Sequence, residues 1–145
     1  MSDKFDVIVV GGGLVGAALA LALDKQGKRV ALVEGQAERF DALEPGWDAR
    51  IYAVSPANRA FLQQLGAWPD ASRLGVIGSM DVRGDQGGQI AFSAADAGAE
   101  ALAWIAENRW MLAAIWQRLQ QASDVTLLSG VRPQLLHHSA RAAAI

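Results

Sequence analysis

Asp6-Val-Ile-Val-Val-Gly-Gly-Gly-Leu-Val-Gly16 is the stretch that decides the fold. Phe5 to Val10 is a short run, apolar but for Asp6, that stops at glycine, the pattern of a strand buried on both faces of a parallel sheet. Leu14 to Gln26 carries alanine and leucine on nearly every side and runs into Gly27, which predicts a buried helix with a glycine stop. Arg29 to Val33 repeats the pattern of the first strand. Strand, helix and strand therefore follow one another in about thirty residues, the size of a parallel crossover unit.

Gly11, Gly13 and Gly16 form G-x-G-x-x-G after the strand and at the mouth of the helix. In that setting the first glycine permits a tight turn, the second lets a pyrophosphate approach the backbone, and the third lets the helix pack close to the sheet. The helix N-terminus offers unpaired N–H groups and a partial positive charge to the diphosphate. Glu34 ends the second strand about twenty residues on, where an acid accepts hydrogen bonds from the ribose hydroxyls of an adenosine and disfavours a 2′-phosphate. FAD and NAD both carry such an adenosine, so these residues leave the two open.

The composition narrows the remaining chemistry. With 52% hydrophobic and 19% charged residues over 145 positions, the chain is expected to fold around one core. There is no cysteine, which excludes disulfides, thiolate nucleophiles and thiolate metal sites, and the only histidines are the adjacent His137 and His138, so no metal site is expected. A net charge of −2 gives no electrostatic reason to expect nucleic-acid binding. The apolar run Val7 to Val10 is too short for a signal or a membrane span, and a cytoplasmic location is the default expectation.

Further along, the segment from Gly35 to Trp47 is polar and irregular, with a turn expected at Pro45-Gly46. Ser55 to Leu65 predicts a helix with Ser55 as N-cap and Pro56 at its first position. Met80-Asp-Val-Arg83 and Gln89-Ile-Ala-Phe-Ser93 flank a glycine-rich turn and predict an antiparallel hairpin. Asn108 to Gln121 predicts a third helix, Val125 to Ser129 a third short strand, and Ala140 to Ile145 a bland tail. Trp104, Trp110 and Trp116 recur every six residues, which is not one helical face, and are expected to be packing groups or parts of a domain junction.

The stretch Trp47-Asp-Ala-Arg-Ile-Tyr-Ala-Val-Ser-Pro-Ala-Asn-Arg-Ala-Phe-Leu-Gln-Gln-Leu-Gly66, taken with the N-terminal glycines, resembles the FAD-dependent aromatic hydroxylases, most closely their ubiquinone-biosynthesis branch, the 2-polyprenylphenol hydroxylase-like proteins. Met80-Asp-Val-Arg-Gly-Asp85, Phe92-Ser93 and Ile105-Ala-Glu-Asn-Arg109 fall in the same order and spacing, so the resemblance reaches about Gly130. It implies an α/β fold in which a Rossmann-like parallel FAD-binding domain is interrupted by antiparallel strands of a substrate domain. Residues 1–79 would be the first part of the FAD domain, 80–107 the start of the inserted sheet, and 108–145 a return to the FAD domain that is then truncated.

The activity implied is monooxygenation of a polyprenylated phenol through a flavin C4a-hydroperoxide, with NADPH or another reductant as electron donor. The cofactor carries that chemistry, which accounts for the lack of a recognisable catalytic side chain. By resemblance, Arg50 lies near the FAD diphosphate or the flavin's moving part, against the alternative of a surface arginine paired with Asp48. Asn108 and Arg109 lie where relatives place a polar group on the ribityl or ribose; which of the two faces the ligand is left open, and either can serve as a helix cap. A prenylated substrate would bring the protein to the surface of the inner membrane, alone or within a biosynthetic complex. The rivals are another FAD- or NAD-binding oxidoreductase domain, disfavoured by the missing cysteine pair and by Asp48-Ala-Arg50, and an inactive nucleotide-binding fragment. The family's downstream Asp-Gly and Gly-Asp elements have no counterpart here, so the chain by itself is expected to self-associate and not to hydroxylate a phenol.

Overall fold

A computed structural model describes residues 4–36, 46–133, 137–139 and 142–144. Arg39, Pro45 and most of the irregular segment before Trp47 lie outside them. The chain forms two compact units, Met1–Ala42 with Ile115–Ile145, and Leu43–Ala114.

The first unit is built on β1 (Val7–Val10), α1 (Leu14–Asp24), β2 (Val30–Glu34) and β8 (Val125–Ser129), all parallel, in the order β1-β2-β8. Val7 pairs with Val30 and Val10 with Val33; on the other side Val30 pairs with Val125 and Glu34 with Ser129. β2 is the central strand, and its Val30, Ala31, Leu32 and Val33 are all buried. β1 is not buried on both faces as expected: Val7 and Ile8 are half-buried and Val10 is 57% exposed, and among the described residues the strand lies at the sheet edge. α1 is likewise buried on one face only. Ala17, Ala18, Ala20 and Leu21 are buried, whereas Val15 and Leu19 are exposed. The small side chains on the buried face let the helix lie close to the strands. Gly27, at φ +68°, reverses the chain after the helix.

The second unit contains a three-stranded antiparallel sheet of β3 (Ile51–Val54), β7 (Ala103–Glu107) and β4 (Leu74–Ile77), with β7 in the middle. None of these three strands is expected from the sequence pattern. α2 (Pro56–Gln64) follows β3 and is capped by Ser55, whose hydroxyl accepts the Asn58 N–H at 3.3 Å. β5 (Ser79–Arg83) and β6 (Gln89–Ser93) form the expected hairpin, in which Met80 faces Phe92 and Val82 faces Ile90. Its turn closes through Gly84 N–H to the Gly88 carbonyl at 2.7 Å, with Gly87 at φ +82°. α3 (Asn108–Leu119) leaves β7 directly. Near the end, β9 (His137–His138) pairs antiparallel with β10 (Ala143–Ala144), so the expected tail includes a paired segment.

Candidate functional site

The turn between β1 and α1 is shaped by three glycines for three different steric reasons. Gly11 has φ +101°, which a residue with a Cβ rarely adopts, and its N–H donates to the Val33 carbonyl at 2.8 Å. A Cβ on Gly16 would fall on the Gly11 carbonyl oxygen, so the first turn of α1 lies against the loop at a distance only glycine permits. A Cβ on Gly13 would meet nothing within 4 Å. Gly13 is the N-cap of α1 and no side chain caps it. The helix N-terminus therefore opens onto clear space, with unpaired N–H groups and a partial positive charge facing it.

Glu34, at the end of β2, is already engaged with this loop. Its Oε2 accepts the Gly12 N–H at 2.6 Å and its Oε1 accepts the Gln36 N–H at 2.9 Å. The bond from Gln36 and then that from Gly12 hold its pKa below the ordinary glutamate value, against the opposing cost of partial burial. The carboxylate is ionised, and each oxygen keeps a lone pair for a further donor. Gly12, a free position in the motif, turns out to be constrained as well. The Trp116 indole Nε1–H donates to its carbonyl at 2.9 Å, and a Cβ there would lie 2.6 Å from Trp116 Cζ2 and 3.1 Å from Glu34 Cβ. Nothing in the sequence signals that contact, because 104 residues separate its partners.

In the second unit the Asp48–Arg50 and Glu107–Arg109 segments are laced together. Glu107 is 2% exposed and accepts the Asp48 N–H at 2.6 Å and Arg109 Nη2 at 3.2 Å, while pairing with the Arg73 guanidinium. Asp48 in turn accepts the backbone N–H of Arg50 at 3.0 Å and of Arg109 at 3.3 Å, and the Asn108 N–H donates to the Arg50 carbonyl at 2.8 Å. These bonds continue the β3–β7 ladder, in which Ile51 faces Glu107. Burial pushes the Glu107 pKa up, but the Asp48 N–H and the two arginines outweigh it and hold the group below its ordinary value. The Asp48 pKa is also lowered, chiefly by the Arg50 N–H. Arg73 lies between two indoles, its guanidinium 4.2 Å from the Trp47 ring centre and 5.2 Å from that of Trp110.

The expected site residues thus form two groups. Gly11, Gly13, Gly16 and Glu34 meet in the first unit; Arg50, Asn108 and Arg109 meet in the second. The Arg50 side chain is 74% exposed and touches Asp48 only at 4.0 Å, so its guanidinium stands in solvent. Asn108 is buried, and Arg109 is committed to Glu107. Glu107 is the residue that sequence reasoning passes over as part of a motif. Its signal is an acid that directly follows the six-residue apolar run Ala101–Ala106. Among the described residues no helix is long and apolar enough to cross a membrane.

Residues 4–51 match the FAD binding domain family. The glycine turn and the parallel β1–β2 pair both fall within that match. The chain is similar in sequence to ubiquinone hydroxylases. It is 32% identical to the 3-demethoxyubiquinol 3-hydroxylase of Escherichia coli over 84% of this chain and 32% of that protein. It is 35% identical to the ubiquinone hydroxylase UbiL of Rhodospirillum rubrum over 90% of this chain and 31% of the relative. The chain therefore spans about a third of the length of the curated relatives it matches. Among solved structures, the p-nitrophenol 4-monooxygenase PnpA of Pseudomonas putida superposes with a TM-score of 0.68 at 20% identity, covering 94% of this chain and 34% of that one. PqsL of Pseudomonas aeruginosa, a probable FAD-dependent monooxygenase, gives 0.66 at 22% identity over 96% and 36%. These two likenesses carry the fold.

Proposed function

We propose that this chain holds the adenosine diphosphate half of FAD on the β1–α1 turn, within a monooxygenase that hydroxylates a polyprenylated phenol in ubiquinone biosynthesis. The observation that carries the reading is the clear space at Gly13, where an added Cβ would meet nothing although Gly11 and Gly16 on either side are in close backbone contact. A diphosphate fits that gap: it is anionic, it is small enough to reach the backbone, and the helix N-terminus supplies donors and positive potential. Glu34 fits the adenosine, since its free lone pairs can accept the ribose hydroxyls. Arg50, Asn108 and Arg109 belong to the other unit, and their assignment to the cofactor's phosphates, flavin or ribityl chain rests on the family resemblance alone.

When bound and reduced by NADPH or another donor, the flavin supplies the activation of dioxygen. The protein's own residues bind and orient the cofactor. On this reading the β5–β6 hairpin belongs to the sheet that covers the substrate ring, and the prenyl tail draws the protein to the inner-membrane surface. The test is titration of the purified chain with FAD, followed by flavin fluorescence and the visible band. The unmodified chain should bind FAD with a perturbed band, and Gly13→Val should abolish binding while leaving the melting temperature near that of the parent, because its side chain enters space that only the ligand uses. Equal binding by both proteins sinks the reading.

A further inference from the structure

We infer that Trp116 is a positioning residue for the nucleotide turn: its indole orients the Gly12–Gly13 peptide so that the Gly13 N–H faces the ligand side. The inference rests on the FAD reading and adds to it a residue outside the fingerprint. A trans peptide is planar, and its C=O and N–H point in opposite directions. No peptide bond of the described chain is cis. The Gly12 carbonyl accepts the Trp116 Nε1–H at 2.9 Å in a buried contact, and Trp116 is itself 4% exposed, so that carbonyl points into the interior. The Gly13 N–H on the same plane must then point outward. It emerges at the N-cap of α1, on the side where a Cβ on Gly13 would touch nothing.

The preceding peptide is fixed in the same manner. Its Gly12 N–H is taken by Glu34 Oε2 at 2.6 Å. Gly12 is therefore held by a donor on one side and an acceptor on the other, and the indole leaves no room for any side chain at that position. A glycine has the widest choice of backbone conformations, and two glycines in succession would otherwise flip this peptide freely. The clamp removes that freedom before the ligand arrives, so the ordering cost falls on folding and not on binding.

The experiment compares the unmodified chain with Trp116→Phe, which keeps an aromatic ring in the core and removes only the donor and part of the ring. ADP is the probe, and its affinity is measured by calorimetry. Trp116→Phe should weaken ADP roughly three- to tenfold, the range of one lost neutral hydrogen bond, and should shift and broaden the Gly13 amide resonance in the ligand-free protein. The same affinity with an unmoved Gly13 amide overturns the inference, even if the melting temperature falls. A second measurement needs no variant: along an ADP titration of the unmodified chain, the Trp116 Nε1–H resonance should shift with the same dissociation constant as the Gly13 amide, and a stationary indole signal counts against the clamp. Failure of the unmodified chain to bind either ADP or FAD is a different result, and it removes the FAD reading itself.

Discussion

Glu34 and Glu107 are the same residue in the same local position, the last of a central β-strand, and they do different work. Glu34 accepts two backbone N–H groups, one on each oxygen, and stays partly open to solvent. Glu107 accepts one backbone N–H and two guanidinium groups and is buried. Backbone donors fix the direction of a carboxylate without neutralising its charge, so Glu34 remains able to receive another donor. The arginines around Glu107 neutralise it and cover it, so it organises its surroundings and has no face left for a ligand. What separates an acid still open to a further donor from a closed structural one here is the kind of partner, and the strand position is common to both.

The comparison breaks most visibly at Glu107. Glu107→Ala should destabilise the chain by about 3 kcal/mol in urea unfolding, the low end for breaking a buried ion pair because Arg73 and Arg109 each keep about a fifth of their side chains exposed. If the two glutamates were equivalent, Glu34→Ala would cost as much. Glu34→Gln should instead lower FAD affinity roughly tenfold, the worth of a hydrogen bond from a hydroxyl to a charged acceptor, with a smaller fall in the urea midpoint than at Glu107, since the amide nitrogen replaces one of the two accepting oxygens. Titration of flavin fluorescence checks it, and an unchanged affinity would assign Glu34 to the loop alone.

The third test uses pH. Both carboxylates are held below the ordinary glutamate value of 4.5, so the stability they contribute is complete above that value and is lost as pH falls from it through their folded-state values. Glu107→Gln should therefore flatten the acid limb of the stability curve, measured by urea midpoints between about pH 6 and 3. A limb as steep as that of the parent would show that Glu107 is not held ionised. The smallest effect is expected at Arg50. Arg50→Ala should weaken FAD about threefold, the scale of an exposed charge contact, and leave the melting temperature unchanged, since its guanidinium touches Asp48 only at 4.0 Å. A fall in melting temperature without a fall in affinity would make it an ordinary partner of Asp48.

The first unit was legible because its signals are local. The apolar run, the spaced glycines and Glu34 lie within thirty-odd residues, and each glycine is required by a contact within that stretch or by the space beside it. The burial of β1 and α1 was overstated, because an apolar run of four residues reads the same at a sheet edge as at its centre, and alanine-rich helices show no clear polar face. The second unit was legible at α2 and the β5–β6 hairpin, where a serine cap and a glycine turn mark the ends, and at the start of α3. β3, β4 and β7 escaped notice because their pairings span the whole unit: Tyr52 meets Ala106, and Val76 meets Trp104. The tryptophans illustrate the limit. Their six-residue spacing says only that they do not share a helical face, and their partners, Arg59 for Trp104, Arg73 for Trp110 and Gly12 for Trp116, are set by tertiary structure.

The placement of β8 beside β2 has a consequence in time. The sheet of the first unit is assembled from segments near both ends of the chain, with the whole of Leu43–Ala114 between them. During synthesis β1, α1 and β2 emerge together and can form their local contacts early, but β8 and the indole of Trp116 follow far later, and closing so long an intervening loop is slow. The glycine turn thus takes its shape before its Gly12–Gly13 peptide is locked. A ribosome-bound chain arrested before α3 should pair β1 with β2 and still hold its Gly12–Gly13 peptide loosely, and any affinity for ADP should rise to its full value only once the third helix has left the exit tunnel.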